Sequence, residues 1–348
     1  MQEAPFDNTN LKCDNCEEQE AVLLCLNCDS NLCAGCHYTH RRSMTSAHHR
    51  YVVIELPQAA GVEKIAPRRD FNTLQAQPVL RIGEKGSATG QFSSPYAVAT
   101  NSRGEIIVAD TVNQRIQVLD EAGTFLFAFG TPGQGEGEFK DPYCVSVDPK
   151  SNNILVSEYG NHRVQVFDEK GKFLFTFGSV GAGNGQFYGP LGAVCDRRGN
   201  YIVADYHVHR VQMFTPEGRF LRKIGVPGNG NGQICNPRGI GLFSSGEIVI
   251  ADNGNKRISV FDSQGIFLRT FGDASQLMNP WQIFVDANDN VLVADFCNDS
   301  RVQVYNRDGN LIKTIALEES SFPSGVSLDR NGRVVVSEGI GQRITIFN

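Results

Sequence analysis

The chain has 348 residues, enough for one large domain or for two or three of roughly 100–200 residues each. Charged residues make up 20% and hydrophobic ones 41%, which excludes wholesale disorder, and no apolar run approaches the ~18 residues of a membrane span. A formal net charge of −6 argues against a broad basic grip on nucleic acid but leaves room for a local one. The start, MQEAPFDNTNLK, has no basic-then-apolar pattern. Neither a secretory signal nor a transit peptide is expected, so the chain should stay in the cytosol or nucleus, with the cytoplasm as the expected location.

Ten cysteines fall into two regimes. Cys13, Cys16, Cys25, Cys28, Cys33 and Cys36 are clustered, whereas Cys144, Cys195, Cys235 and Cys297 are scattered singly and read as filler in strands or loops. In a reducing compartment clustered thiols are metal ligands before they are disulfides. The cluster reads C-x2-C-x8-C-x2-C-x4-C-x2-C-x3-H and is followed by His48 and His49. Each C-x2-C pair can chelate one tetrahedral zinc, and eight ligands make two closed sites, structural rather than catalytic. So short a segment, with few large apolar residues, needs its metal to fold. His37, beside Cys36, reads as a surface histidine.

This spacing resembles the B-box zinc finger of tripartite-motif proteins, with Cys16 where the commoner type has histidine. The family interleaves its ligands. The resemblance therefore implies Cys13, Cys16, Cys33 and Cys36 on one zinc, and Cys25, Cys28, His40 and His48 on the other, with His49 as the alternative last ligand. It also implies that the B-box, residues 8–54, contacts other regulatory proteins. Tripartite-motif proteins usually carry a RING finger before the B-box and a coiled coil after it. Twelve residues precede Cys13 and nothing after His49 has a coiled-coil heptad pattern, so ligase activity cannot simply be inherited from the resemblance and stays an open expectation.

Residues 55–76, with Pro57, Pro67 and no apolar heptad, read as a linker.

From residue 77 the sequence repeats. I-I-V-A-D110-T-V-N-Q-R115-I-Q-V-L returns five times in altered form, with arginines at 115, 163, 210, 257, 301 and 343, spaced 48, 47, 47, 44 and 42 residues apart. Each copy holds four short β-rich runs divided by turn residues, such as Tyr96–Ala99, Ile106–Ala109, Arg115–Leu119 and Phe125–Phe129, which is a propeller blade. The last copy ends after three strands, and Pro78–Gly83 looks like the missing fourth, compare Arg222–Gly225. The expected fold is mainly β: a six-bladed propeller over 77–348, closed by its N-terminal strand, preceded by a small zinc-binding domain. The recurring G-Q-F-x-x-P, A-D-x-x-N-x-R and F-L-x-x-F-G phrases resemble the NHL repeat, and with the B-box they resemble the tripartite-motif NHL group. Six-bladed lactonases and amidating lyases, with a metal in the central channel, are the competing analogy.

The acids that end each second strand (Asp110, Glu158, Asp205, Asp252, Asp295, Glu338) are expected to accept from the backbone of the following turn. The six arginines are expected to brace neighbouring blades. Function should then lie in what differs between copies. Turns after third strands collect Asp120, Glu121, Asp168, Glu169, Glu217, Asp262 and Asp308 against Lys170 and Arg307, an acidic face. The opposite face gathers Tyr96, Tyr143, Arg238 and Trp281 beside the blade prolines, and Tyr159, His162, Tyr206, His207, His209, Asn253, Asn255, Lys256, Phe296 and Asn298 after the second strands. Aromatic rings among Asn, His and a few cations suit single-stranded RNA, and the same composition suits a protein hot spot. The candidate contacts for RNA or a protein partner are Tyr96, Tyr143, Tyr159, His162, Tyr206, His207, Arg238, Asn253, Lys256, Trp281 and Phe296. NHL propellers of the resembled group often bind short RNA motifs on this face and act in post-transcriptional regulation, while others bind proteins as scaffolds or as adaptors in ubiquitin-ligase pathways. No Ser-His-Asp order, phosphate loop or HExxH stretch is present, so no enzyme is expected. His162, His207 and His209 read as surface or RNA-contact residues rather than metal ligands.

Overall fold

The computed structural model describes residues 69–74 and 76–348 in full, together with the backbone of five short N-terminal strands. The chain divides into two compact units, Met1–Glu63 and Lys64–Asn348.

In the first unit, Lys12–Cys13 pairs with Cys16–Glu20, and Leu23–Cys25 lies between Ser30–Leu32 and Tyr51–Val53. Cys13 stands directly opposite Cys16 in antiparallel register. The side chains of the eight predicted zinc ligands, and of His49, lie outside the described residues.

The second unit is a six-bladed β-propeller. Blade one is Pro95–Thr100, Ile106–Asp110, Arg115–Leu119 and Phe125–Phe129, paired antiparallel from the axis outward, and four blades repeat that order. Blade six takes Pro323–Leu328, Val334–Glu338 and Arg343–Phe347 from the C-terminus and Pro78–Ile82 from the N-terminal side. Ile344 pairs with Ile82 and Ile346 with Leu80, so the last C-terminal strand has no free edge. The first strands form the inner ring, where Pro323–Leu328 meets Pro95–Thr100 to close the circle.

Burial explains the strand composition. Second strands are buried on both faces and carry near-continuous Ile, Val and Ala, as in Ile106–Asp110 and Ile248–Asp252. Outer strands alternate: Phe125, Phe127 and Phe129 turn partly inward while Leu126 faces solvent.

Three expectations change. The C-terminal end of the predicted linker is part of the propeller: Asp70 accepts from the Asn72 amide at 2.9 Å and caps a short 3-10 turn, Phe71–Thr73. Phe71 and Leu74, three apart and so on one side of that turn, are buried among Leu292, Val304, Val326 and Phe347 of blades five and six. The backbone amides that most second-strand acids accept come from the loop before the first strand and not from the following turn. Asp110 takes the Ser93 amide at 2.7 Å, Asp205 the Tyr188 amide at 2.8 Å and Asp252 the Cys235 amide at 2.7 Å, while the following turn contributes only the side chains of Asn113, Asn161 and Asn255. The third-strand face is not uniformly acidic, because arginines in its other turns answer the acids. Arg330 meets Glu121 at 2.7 Å and Arg103 meets Glu169.

The arginines brace the loops that cross from blade to blade. Arg115 holds Asp110 at 2.8 Å and donates to the Ala88 and Gln91 carbonyls, and Arg163, Arg210 and Arg257 do the same with their own loops.

Candidate functional site

The residue after each blade proline points toward the axis on one face. In chain order these are Tyr96, Tyr143, Leu191, Arg238, Trp281 and Ser324, the lining of a funnel open to solvent. Rings from several blades join there. Tyr96 lies 4.7 Å from Tyr143 and 5.4 Å from Trp281, Tyr143 lies 6.0 Å from Tyr159, and Tyr159 donates to or accepts from His207 Nε2 at 2.7 Å. Trp281 stacks on Phe296 with centroids 4.0 Å apart and planes 6° apart.

Arg238 sits in this network with a ring on either hand, 4.2 Å from the Trp281 centroid and 4.8 Å from Tyr206. Among the described residues no carboxylate pairs with it, and its buried Nε has no hydrogen-bond partner. Burial pushes the Tyr143 phenol up to about 12, and Arg238 beside it pulls the other way without winning. Tyr143 is therefore a neutral hydroxyl at physiological pH, and the guanidinium is the one full charge in the lining of the funnel.

Deeper in, Gln282 closes the axis. Its Oε1 accepts from the Val326 amide at 3.2 Å and its Nε2 donates to the Val98 carbonyl at 3.2 Å, tying blades five, six and one. Among the described residues no three His, Cys, Asp or Glu side chains converge on a metal position.

The predicted contacts divide into two groups. Tyr96, Tyr143, Tyr159, Tyr206, His207, Arg238, Trp281 and Phe296 are brought together; Trp281 is only 7% exposed, so it is a wall rather than a free stacking platform. His162, Asn253 and Lys256 serve, or fail to serve, a latch between blades. The residue before each repeat arginine has left-handed backbone, and most of these side chains accept an amide from the next blade: Gln114 from Asp141, His162 Nδ1 from Gly189, His209 Nδ1 from Asn236, Gln342 from Ser94. Burial, then Lys140 and His207, lowers the His162 pKa, which keeps the ring neutral and able to accept. Lys256 has no acceptor to offer. Asn253 takes over by donating to Asn279 and to the Pro280 carbonyl, and Lys256 stays exposed on the face.

Four residues escaped the sequence reading. Tyr188 is 46% exposed and packs edge-on to His162, Phe322 lies 4.9 Å from Phe296, Asn279 holds the Trp281 indole at 3.2 Å, and Gln282 plugs the axis. Tyr188 and Phe322 sit in the loops just before the blade prolines, where comparing copies would have flagged them.

A propeller with a cysteine-rich unit before it defines the class, and comparison with known proteins fits both halves. The B-box zinc finger family matches residues 8–54, and the NHL repeat matches 92–119, 139–167 and 235–261. The chain is a B-box and NHL-repeat protein of the tripartite-motif-like family. It is similar to Protein brain tumor of Drosophila melanogaster (43% identity over 75 residues, 22% of this chain and 7% of that protein), to the B-box type zinc finger protein ncl-1 of Caenorhabditis elegans (53% over 47 residues, 14% and 6%), and to the human E3 ubiquitin-protein ligase TRIM32 (35% over 71 residues, 20% and 11%). The matches thus span about a tenth or less of these relatives. Among solved structures, a streptogramin B lyase (16% identity, TM-score 0.56, 76% of this chain and 96% of that one) and a gluconolactonase from Xanthomonas campestris (15%, 0.58, 75% and 88%) share the fold.

A B-box is a zinc-binding module. When bound, zinc supplies the cross-link that such a small unit lacks.

Proposed function

We propose that the funnel face of the propeller binds short single-stranded RNA and that the protein acts in cytoplasmic post-transcriptional regulation. The observation that carries this is Arg238. A half-buried guanidinium with no carboxylate partner, flanked by Trp281 and Tyr206, offers its in-plane donors to a phosphate or base edge, while Tyr206, His207 and Phe296 offer faces for bases. Lys256 adds a second cation on the same blade. On this reading residues 8–54 form a B-box holding two zinc ions, through Cys13, Cys16, Cys33 and Cys36 and through Cys25, Cys28, His40 and His48 or His49. A linker beginning at 55 joins it to the propeller, and the B-box contacts other proteins.

A protein partner on the same face is the second reading. It is favoured by Val112 and Ile340, 59% and 54% exposed in the second-to-third-strand turns of adjacent blades one and six. An RNA selection with the full chain separates the two. An enriched motif, bound more tightly at low salt and lost on Arg238→Ala, supports RNA; no enrichment, with a protein recovered on wild type and lost on Ile340→Asp, supports the second.

A further inference from the structure

Five of the six clefts between blades are filled in one way. The loop crossing into the next blade inserts an apolar side chain, Phe92, Phe139, Phe187, Ile234 or Leu277, and each is 0% exposed. The carbonyl of the residue before it, in Gln91, Glu138, Gln186, Gln233 or Gln276, accepts from the third-strand arginine at 2.7–3.0 Å. The strand entering the loop makes room with a glycine: a Cβ on Gly83, Gly130, Gly178, Gly225 or Gly272 would meet the inserted side chain at 2.2–2.6 Å.

The crossing from blade five to blade six breaks all three rules. Ser320 stands at the place of the plug, exposed and in left-handed backbone at φ 61°. Ala316 replaces the glycine. Arg343 finds the carboxylate of Glu318 where its counterparts find a loop carbonyl. Among the described residues an open cleft of about 370 Å³ results, walled by Ala316, Leu317, Arg343, Thr345 and Phe347 and, from the N-terminal side, by Ala76 and Gln77. Blade two shows what these positions do when occupied: Gly130, Arg163 and Phe167 surround Phe139. Phe71 and Leu74 pack into the core of this same seam, against Phe347, and among the described residues the space beside Ala316 and Arg343 stays open.

We propose that the cleft between blades five and six is a docking socket for an extended partner peptide that inserts one large apolar side chain, as the protein's own Gly-Gln-Phe loops do. The partner's carbonyl before that side chain takes the Arg343 donor. Glu318, 53% exposed, swings aside and stays neutralised by Arg81, its other ion-pair partner. Most of the protein's own loops carry a glycine two residues before the inserted side chain, and peptides of this kind share it. The socket shares no lining residue with the funnel around Arg238, so it does not depend on the RNA reading.

The test is fluorescence anisotropy of a labelled peptide with the sequence of residues 86–94, GSATGQFSS, titrated with the full chain. Saturable binding is expected, at least tenfold weaker when the peptide phenylalanine is alanine. Ala316→Phe, which places a ring in the socket, is expected to weaken binding tenfold or more with an unchanged or higher Tm, and Leu317→Trp at the mouth serves if that variant fails to fold. RNA binding by either variant stays at the wild-type level. No saturable binding up to about 1 mM, or binding indifferent to both the peptide change and the socket variants, overturns the proposal.

Discussion

The guanidinium of Arg238 lies 4.2 Å from the centroid of Trp281, and no carboxylate among the described residues neutralises it. Most of the propeller's other arginines are paired, including all six repeat arginines, each to the acid of its own blade. A charge without a carboxylate partner inside an aromatic funnel is costly for stability alone, which is the ground for proposing it as a ligand contact. Arg238→Ala should lower RNA affinity about tenfold or more and flatten the salt dependence by about one ion; Arg238→Lys, keeping charge but losing the planar fit between two rings, should recover only part. Equal binding by wild type and Arg238→Ala, across salt, would show that the funnel does not hold the ligand.

Arg210 is 4% exposed and answers Asp205, which is fully buried. Burial raises the Asp205 pKa despite that partner, so the ionised form is tolerated in the fold only with help. Arg210→Ala removes the partner and three loop contacts together and should destabilise the propeller by about 3–5 kcal/mol, read as a lower urea midpoint. Arg210→Ala with Asp205→Asn should recover part of the loss, because no charge is then stranded. A double variant as unstable as the single one would locate the cost in the loop contacts instead.

Phe71 is 1% exposed in a segment that composition alone marks as linker. Phe71→Ala should cost about 3–5 kcal/mol, comparable to a core phenylalanine elsewhere in the ring. Removing residues 77–84, the closing strand, should cost most of the propeller's stability. A wild-type melting profile in Phe71→Ala would return the segment to the linker.

The blades were legible because the repeat states each strand six times, and the closing strand because Pro78–Gly83 copies Arg222–Gly225. Phe71 and Leu74 were not, since two apolar residues in a stretch with no repeat partner carry no period to read. Blade order alone places Tyr206, Arg238 and Trp281 on consecutive blades, so their meeting was foreseeable. That Trp281 turns edge-inward onto Tyr96 and stacks on Phe296 depends on rotamers that Asn279 sets through its bond to the indole. The latch role of His162 and His209 was hidden because glutamine, histidine and serine look unrelated in sequence yet all present an acceptor from the same left-handed position.

Chelation should unfold the N-terminal unit and spare the propeller. A short segment with few large apolar residues in its sequence is expected to need its metal to fold, whereas the propeller buries its own core. Native mass spectrometry should find two zinc ions per chain, falling to one in Cys13→Ser and in Cys25→Ser separately. A single ion in wild type would reject the two-site ligand set.

Glu318 joins Arg81 and Arg343 at the seam where the two ends of the propeller meet. The hydrogen bond from Arg343, then the charges of Arg343 and Arg81, holds its carboxyl below the usual range. A carboxylate whose folded pKa is lowered contributes stability above its unfolded value, near 4.5, and loses it as pH falls through the folded one. The Tm gap between wild type and Glu318→Gln should therefore be widest above about pH 5 and shrink steadily as the pH is lowered below that. Because Glu318 is exposed and screened, the gap should also narrow in high salt at neutral pH. A gap that is constant with both pH and salt would mean that glutamine disturbs the seam by its shape and that the clasp is not electrostatic.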